Sequence, residues 1–263
     1  MSTVSGYDPL ATLAAMRWVI DIPRTFVTLL AGVVATLVAV PIVIITAAIN
    51  DVSPFIEQVI RTWSRVWMVC SGTKLQVEGQ EHIDPARSYV VVANHLSALD
   101  IMACLLAVRL PMRFLAKTEL FKVPVFAQGM RAVGVVEVDR AARGSIHADV
   151  NRQGKELIGK GRSLIIYAEG TRPRDGVMKP FKKGAFTMAL TGQLPVLPVS
   201  IHGSYEAWPP GQPWLHGGLI RVVIDPAIET AGMTQADGNE LRNQVRELIA
   251  RRVTAMGGLV APV

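Results

Sequence analysis

The stretch Tyr89-Val90-Val91-Val92-Ala93-Asn94-His95-Leu96-Ser97-Ala98-Leu99-Asp100 decides how this chain is built. Its first five residues are apolar without alternation, the pattern of a short strand buried on both faces. Such a strand needs cover on either side. The polar run Asn94-His95 follows at once, and a helix start is expected near Ser97. In open α/β sheets, ligands gather at the carboxyl ends of the strands. His95 stands at such an end, and Asp100 lies about one turn into the helix. A loop imidazole can reach a first-turn carboxylate, which would fix its tautomer and stabilise its protonated form.

The surrounding sequence supports this frame. Further β-rich runs fall at 75–78, 113–116, 135–138, 164–168, 196–201 and 220–224, with helix-like stretches at 98–108, 145–159, 184–191 and 239–256. In the last of these, Leu241, Val245, Leu248, Ile249 and Val253 share one face. Strands alternating with helices predict an α/β fold: a mixed, mainly parallel sheet covered by helices. The chain has 263 residues, enough for one large α/β domain or two small ones. Half its residues are hydrophobic and 18% are charged, which excludes an intrinsically disordered chain. Two cysteines, Cys70 and Cys104, cannot form a disulfide framework, and no Cys/His cluster suggests a metal. Cys104, in an apolar helix, reads as packing.

A second polar cluster follows the run at 164–168. Glu169-Gly170-Thr171-Arg172-Pro173 ends a buried strand with a tight turn. Arg172 offers a planar fork suited to a phosphate, and Glu169 can orient that Arg or accept a substrate hydroxyl. No Gly-rich Lys-Ser/Thr loop is present, which argues against nucleoside triphosphate chemistry. No Gly-x-Ser-x-Gly elbow supplies a serine nucleophile. The net charge is +6, and residues 109–183 hold 16 Lys/Arg against 7 Asp/Glu. A basic middle suits an anionic partner. Aromatic residues make up only 6% of the chain and no nucleic-acid module is visible, so nucleic acid is not the expected partner.

The N-terminal quarter differs. No charged residue lies between Arg24 and Asp51. Residues 25–49 would span ~37 Å as a helix, more than the ~30 Å hydrocarbon core, and too long for a cleavable signal core. Pro41 is expected to kink or end that helix. Asn50 to Pro54 is a turn and helix-start signal, and residues 55–70 follow with amphipathic spacing and two tryptophans. Two helices are expected, which either enter one leaflet and return or form one span plus a surface helix. The expected division is 1–71, membrane-associated helices, and 72–263, a catalytic domain.

Taken together, these pieces resemble the glycerolipid acyltransferases, whose type member is 1-acyl-sn-glycerol-3-phosphate acyltransferase. Asn94-His95-x4-Asp100 is similar to that family's first motif, the HX4D motif. Gly134 to Arg140 is similar to the second, Tyr167 to Pro173 to the third, and Val196-Leu197-Pro198-Val199 to the fourth. Lys117-x-Glu119-Leu120 and Phe181-Lys182-Lys183-Gly184 also look like family segments. The departures sit in the third motif, where Tyr167, Ala168 and Pro173 replace Phe, Pro and Ser.

The resemblance implies transfer of a fatty acyl group from acyl-CoA or acyl-acyl-carrier protein to the free sn-2 hydroxyl of 1-acyl-sn-glycerol-3-phosphate, giving phosphatidic acid in phospholipid biosynthesis. His95 would be the general base and Asp100 its orienter. Lys117, Arg140, Glu169, Gly170, Thr171 and Arg172 would form the phosphate-binding set. No cofactor and no metal are implied; the acyl donor is a cosubstrate. The implied partners are the lysophospholipid, the donor and membrane lipids. The implied location is a membrane, the cell inner membrane if the source is bacterial, with the catalytic domain on the cytoplasmic face. The alternatives are another acceptor, such as lyso-ornithine lipid, and a non-enzymatic membrane-anchored lipid binder.

Overall fold

The computed structural model describes residues 9–138, 156 and 158–262, with side chains from residue 18 onward. The chain opens with α1 (Pro9–Ile49) and α2 (Pro54–Cys70), then enters an α/β unit: β1 (Thr73–Glu78), β2 (Val90–Ala93), α3 (Leu99–Ala107), β3 (Met112–Lys117), α4 (Phe126–Val133), β4 (Val136–Val138), β5 (Ser163–Tyr167), β6 (Val177–Met178), α5 (Gly184–Gly192), β7 (Val196–His202), α6 (Ser204–Ala207), β8 (Gly218–Ile224), α7 (Gly238–Ala255) and β9 (Leu259–Val260). Seven strands form one sheet in the order β1-β8-β7-β2-β5-β3-β4, and β6 pairs with β9 separately. Every neighbouring pair in the large sheet is parallel except β7 with β8. The sheet is therefore mixed and mainly parallel, as the sequence pattern required. The helix expected over 145–159 falls mainly on residues outside those described.

β2 sits at the centre, and its four residues are all fully buried. Side chains alternate across a strand, so a run with no polar residue must find an apolar layer on each face. Val91 and Ala93 pack with Leu99, Ala103 and Leu105 of α3. Val90 and Val92 pack with Phe186 of α5 and Leu241, Val245 and Ile249 of α7. Because β2, β5, β3 and β4 run parallel, their carboxyl ends open on one edge of the sheet. The motifs that follow those strands are brought together there.

α1 is continuous through both Pro23 and Pro41. Pro41 therefore does not end the helix. An interior proline loses a hydrogen bond and costs ~3 kcal/mol, which tertiary packing can offset. Here α1 packs on α2 and α4. Trp63 donates its indole N–H to Thr36 Oγ1 at 2.9 Å. A Cβ at Gly32 would lie 2.2 Å from the Trp67 ring, so only glycine lets the two helices meet there.

The apolar stretch of this long helix is tied to the α/β unit on both sides. Before it, Asp21 contacts His216 Nδ1 at 2.6 Å and Thr25 Oγ1 accepts from the Leu215 amide. Beyond its end, Asp51 pairs with Lys160, and its carbonyl accepts from Arg162. α2 starts with Ser53 as cap and Pro54 in the first turn. Its Glu57 reaches Arg113 of β3 at 2.7 Å, and that Arg is only 1% exposed. Between these anchor points α1 leaves Phe26, Leu30, Val34, Leu37 and Ile45 exposed.

Candidate active site

The geometry begins at the end of β2. The Asn94 side chain both donates to and accepts from the Ile201 backbone, each at 2.8 Å, which ties the β2 exit to β7. His95 then turns its Nδ1 onto Asp100 Oδ2 at 2.9 Å. The same oxygen accepts the backbone N–H of Leu96 at 2.7 Å and of Ser97 at 2.8 Å. Three donors thus converge on one carboxylate oxygen of a fully buried residue. Hydrogen bonds of this kind to a carboxylate hold the loop in shape. With Nδ1–H committed to Asp100, the neutral imidazole carries its free lone pair on Nε2.

His95 borders an open cleft of about 1440 Å³. Lys117 reaches it from the end of β3, and Gly170, Thr171 and Arg172 from the loop after β5. Arg174 and Lys182 also line it, and sequence reasoning had assigned neither a role. Their signal was present: Arg174 stands two residues past Arg172, and Lys182 lies in the basic Phe181–Gly184 segment. Gly170 has φ +75°, and a Cβ there would come within 2.8 Å of Lys182 Nζ. The glycine lets the lysine lie against the turn. Among the described residues, none of these four cations is paired with a carboxylate. Arg140 lies outside the described residues. From α1 and α2 the lining is Gly32, Val33, Thr36, Leu37, Trp63 and Trp67. The cleft therefore joins a cluster of cations to an apolar wall.

Glu169 holds a different post from the one its sequence position suggested. It is 3% exposed. Its Oε1 accepts from the His95 backbone N–H and its Oε2 from that of Lys179, both at 2.7 Å. It braces the β2 and β5 exits against each other and neither pairs with Arg172 nor faces the cleft. Burial pushes its pKa up to about 7, against the pull of the two backbone donors, and the Asp100 charge adds to the rise. The phenol of Tyr167 is raised well above its ordinary value, chiefly by burial. Burial also raises the Cys104 thiol, which leaves it a packing residue. His202 lies against the turn at Gly257–Gly258, and His216 serves the α1 contact.

The acyltransferase family profile matches residues 74–202. A chloroplastic 1-acyl-sn-glycerol-3-phosphate acyltransferase of Brassica napus is 36% identical over 178 residues, covering 66% of this chain and 50% of that protein. The alpha form of the same enzyme from Homo sapiens is 30% identical, covering 66% of this chain and 62% of that protein. The chain thus spans about half to three fifths of the length of these relatives. The crystal structure of the 1-acyl-sn-glycerophosphate acyltransferase from Thermotoga maritima superposes with a TM-score of 0.79 at 28% identity, covering 91% of this chain and 97% of that one.

Proposed function

Since the chain belongs to the glycerolipid acyltransferase family, we propose that it transfers a fatty acyl group from acyl-CoA or acyl-acyl-carrier protein to the sn-2 hydroxyl of 1-acyl-sn-glycerol-3-phosphate. The observation that carries this reading is the His95–Asp100 pair opening onto a cleft lined by cations. His95 Nε2 takes the proton of the acceptor hydroxyl as its oxygen attacks the thioester carbonyl. Asp100 stabilises the imidazolium. The tetrahedral intermediate collapses, the C–S bond breaks, and the imidazolium returns the proton to the departing thiolate. Lys117 and Arg172 hold the acceptor phosphate, the guanidinium by its planar fork and the ammonium as a point charge. Thr171 adds a hydroxyl donor, and Gly170 keeps the turn tight enough for both. A phosphate so held fixes the hydroxyl near His95, and such positioning supplies a large part of the rate.

Residues 1–71 form the membrane-associated part and 72–263 the catalytic part. Residues 18–49 are apolar enough for a span, with a mean hydropathy of 2.7 over the most apolar window. The anchor points argue for an in-plane position instead. The run from Asp21 to Ile49 is about 42 Å long at ~1.5 Å per residue. A crossing helix would carry one end ~30 Å away, across the hydrocarbon core. Asp21 and Asp51 both reach the same domain. α1 and α2 therefore lie in one leaflet with their exposed apolar face in lipid, beside a cleft that takes lipid substrate.

The test is a labelled acyl donor offered with a panel of lysolipids in vesicles, followed by product identification. Labelled phosphatidic acid supports the reading. Acylation of a phosphate-free lysolipid alone points to another acceptor, and no transfer at all points to a lipid binder. In-plane insertion is tested by accessibility of single cysteines at residues 18 and 50 to a reagent on the protein's side. Both should react, and a residue 50 that is shielded or reacts only from the far side would refute it.

A further inference from the structure

His95 has a second neighbour besides Asp100. The phenol ring of Tyr167 lies face to face with the imidazole, the ring centroids 3.9 Å apart and the planes inclined by 14°. Phe114 lies near-parallel to Tyr167, with centroids 6.3 Å apart and the same 14°. The three rings come from the end of β2, from β5 and from β3. Strand register brings them together: Tyr167 pairs with Ala93, two residues before His95, and Phe114 pairs with Ile165.

A hydrogen bond at Nδ1 holds the imidazole at one point of its rim. It leaves the ring free to tilt about the line to Asp100, which swings Nε2 away from a bound hydroxyl. A flat partner on the ring face removes that freedom. We infer that Tyr167 is a positioning residue whose ring face clamps the His95 imidazole, so that Nδ1 stays on Asp100 and Nε2 stays turned to the cleft. This rests on the reading of His95 as the base.

The hydroxyl of Tyr167 takes no part in the clamp. Its oxygen is buried and has no hydrogen-bonding partner of good geometry among the described residues, and neither has Asp100 Oδ1. The phenol feels the charge of Asp100 and neighbours Cys104, so it points into the interior behind the pair. The part that touches His95 is the ring alone. Phenylalanine can therefore replace tyrosine here, and an aliphatic side chain cannot. The charged groups that bond to His95 are Asp100 from α3 and Glu169 on its backbone amide, and those that share its cleft are Lys117, Glu119, Arg172, Arg174 and Lys182. None of these is altered by a change at 167.

The experiment compares Tyr167→Phe with Tyr167→Leu in the full-length chain, reading kcat, KM for the acceptor, and the downfield proton resonance of the His95 Nδ1–H held by Asp100. Tyr167→Phe should keep kcat within about two-fold and leave the resonance in place. Tyr167→Leu should lower kcat about 3–10-fold with KM little changed, the loss expected of one aromatic stack. It should also broaden the resonance or move it upfield. If Leu does not fold, Met, closer to the phenol in length, takes its place. Unchanged kcat and an unchanged resonance in the aliphatic variant would overturn the clamp. So would a Phe variant as impaired as the aliphatic one, since the hydroxyl would then carry the effect. The resonance does not depend on turnover. Should His95→Ala retain activity, the general-base reading fails while the resonance still reports whether Tyr167 holds the ring.

Discussion

Asp100→Asn separates two ways in which the carboxylate can serve His95. An asparagine has one oxygen and one NH2 group, and the site decides which faces His95. In the native loop Asp100 Oδ2 accepts from His95 Nδ1, Leu96 N and Ser97 N at 2.9, 2.7 and 2.8 Å. An NH2 group in that place would face two backbone N–H donors fixed by the turn, leaving them buried and unsatisfied at ~1–3 kcal/mol each. The amide oxygen therefore takes the Oδ2 position. The NH2 takes the place of Oδ1, which is buried without a partner among the described residues. His95 keeps its tautomer with Nε2 free, and what disappears is the charge that stabilises the imidazolium. A hydrogen bond to a charged group contributes ~1.5–3 kcal/mol, so kcat should fall about 10–150-fold. Where such a substitution inverts the tautomer, the loss is nearer ~10⁴-fold. Steady-state transfer by the folded variant, measured beside His95→Ala, decides. A loss as deep as that of His95→Ala would show that the backbone amides do not lock the amide oxygen. Full activity would show that the carboxylate charge is not used.

Arg172→Ala should cost about 10–150-fold in kcat/KM on lysophosphatidic acid and little on a lysolipid without phosphate, with Arg172→Lys recovering only part; equal losses on both acceptors would remove Arg172 from the phosphate site. Glu169→Gln should destabilise by about 1.5–3 kcal/mol in denaturant unfolding, because its NH2 group must face one of two backbone donors. The wild type should also differ from that variant in pH dependence. Between 4.5 and about 7 the native state holds a proton that the unfolded chain has lost, so stability rises as pH falls through that window and is flat above it. The Gln variant should lack this slope. Glu57→Ala strands a nearly inaccessible Arg113 and should cost ~3–5 kcal/mol, of which a paired Glu57→Leu, Arg113→Met exchange recovers most; an unaltered midpoint in Glu57→Ala would mean the ion pair does not hold α2 to the sheet.

All seven strands of the main sheet could be read from the sequence because each is a short β-rich run, fully apolar only at the centre of the sheet. The His95–Asp100 contact was legible for a local reason: five residues span a strand exit and one helical turn. Glu169 was misplaced because its partners are backbone amides, one of them 74 residues away, and a backbone partner leaves no trace in residue type. Pro41 did not end the helix, because a local rule about helix interiors says nothing of the α2 and α4 surfaces on which α1 packs. β6 and β9, two residues each, carry too little pattern to detect. The antiparallel turn of β8 against β7 depends on the loop between them, where sequence gives no direction. Arg174 carries no sequence signal beyond its nearness to Arg172, and Lys182 only its place in the Phe181–Gly184 segment; the fold turns both into the same cleft as His95.

The central claim is that His95 activates a lysolipid hydroxyl for attack on a thioester. Its most direct test uses the purified full-length chain in phospholipid vesicles with labelled acyl-CoA or acyl-acyl-carrier protein and 1-acyl-sn-glycerol-3-phosphate, run beside folded His95→Ala. Labelled phosphatidic acid from the wild type, with formation at least ~10²-fold slower in the variant, is the expected result. Near-wild-type transfer by folded His95→Ala, or release of free fatty acid in place of the lipid product, would contradict it.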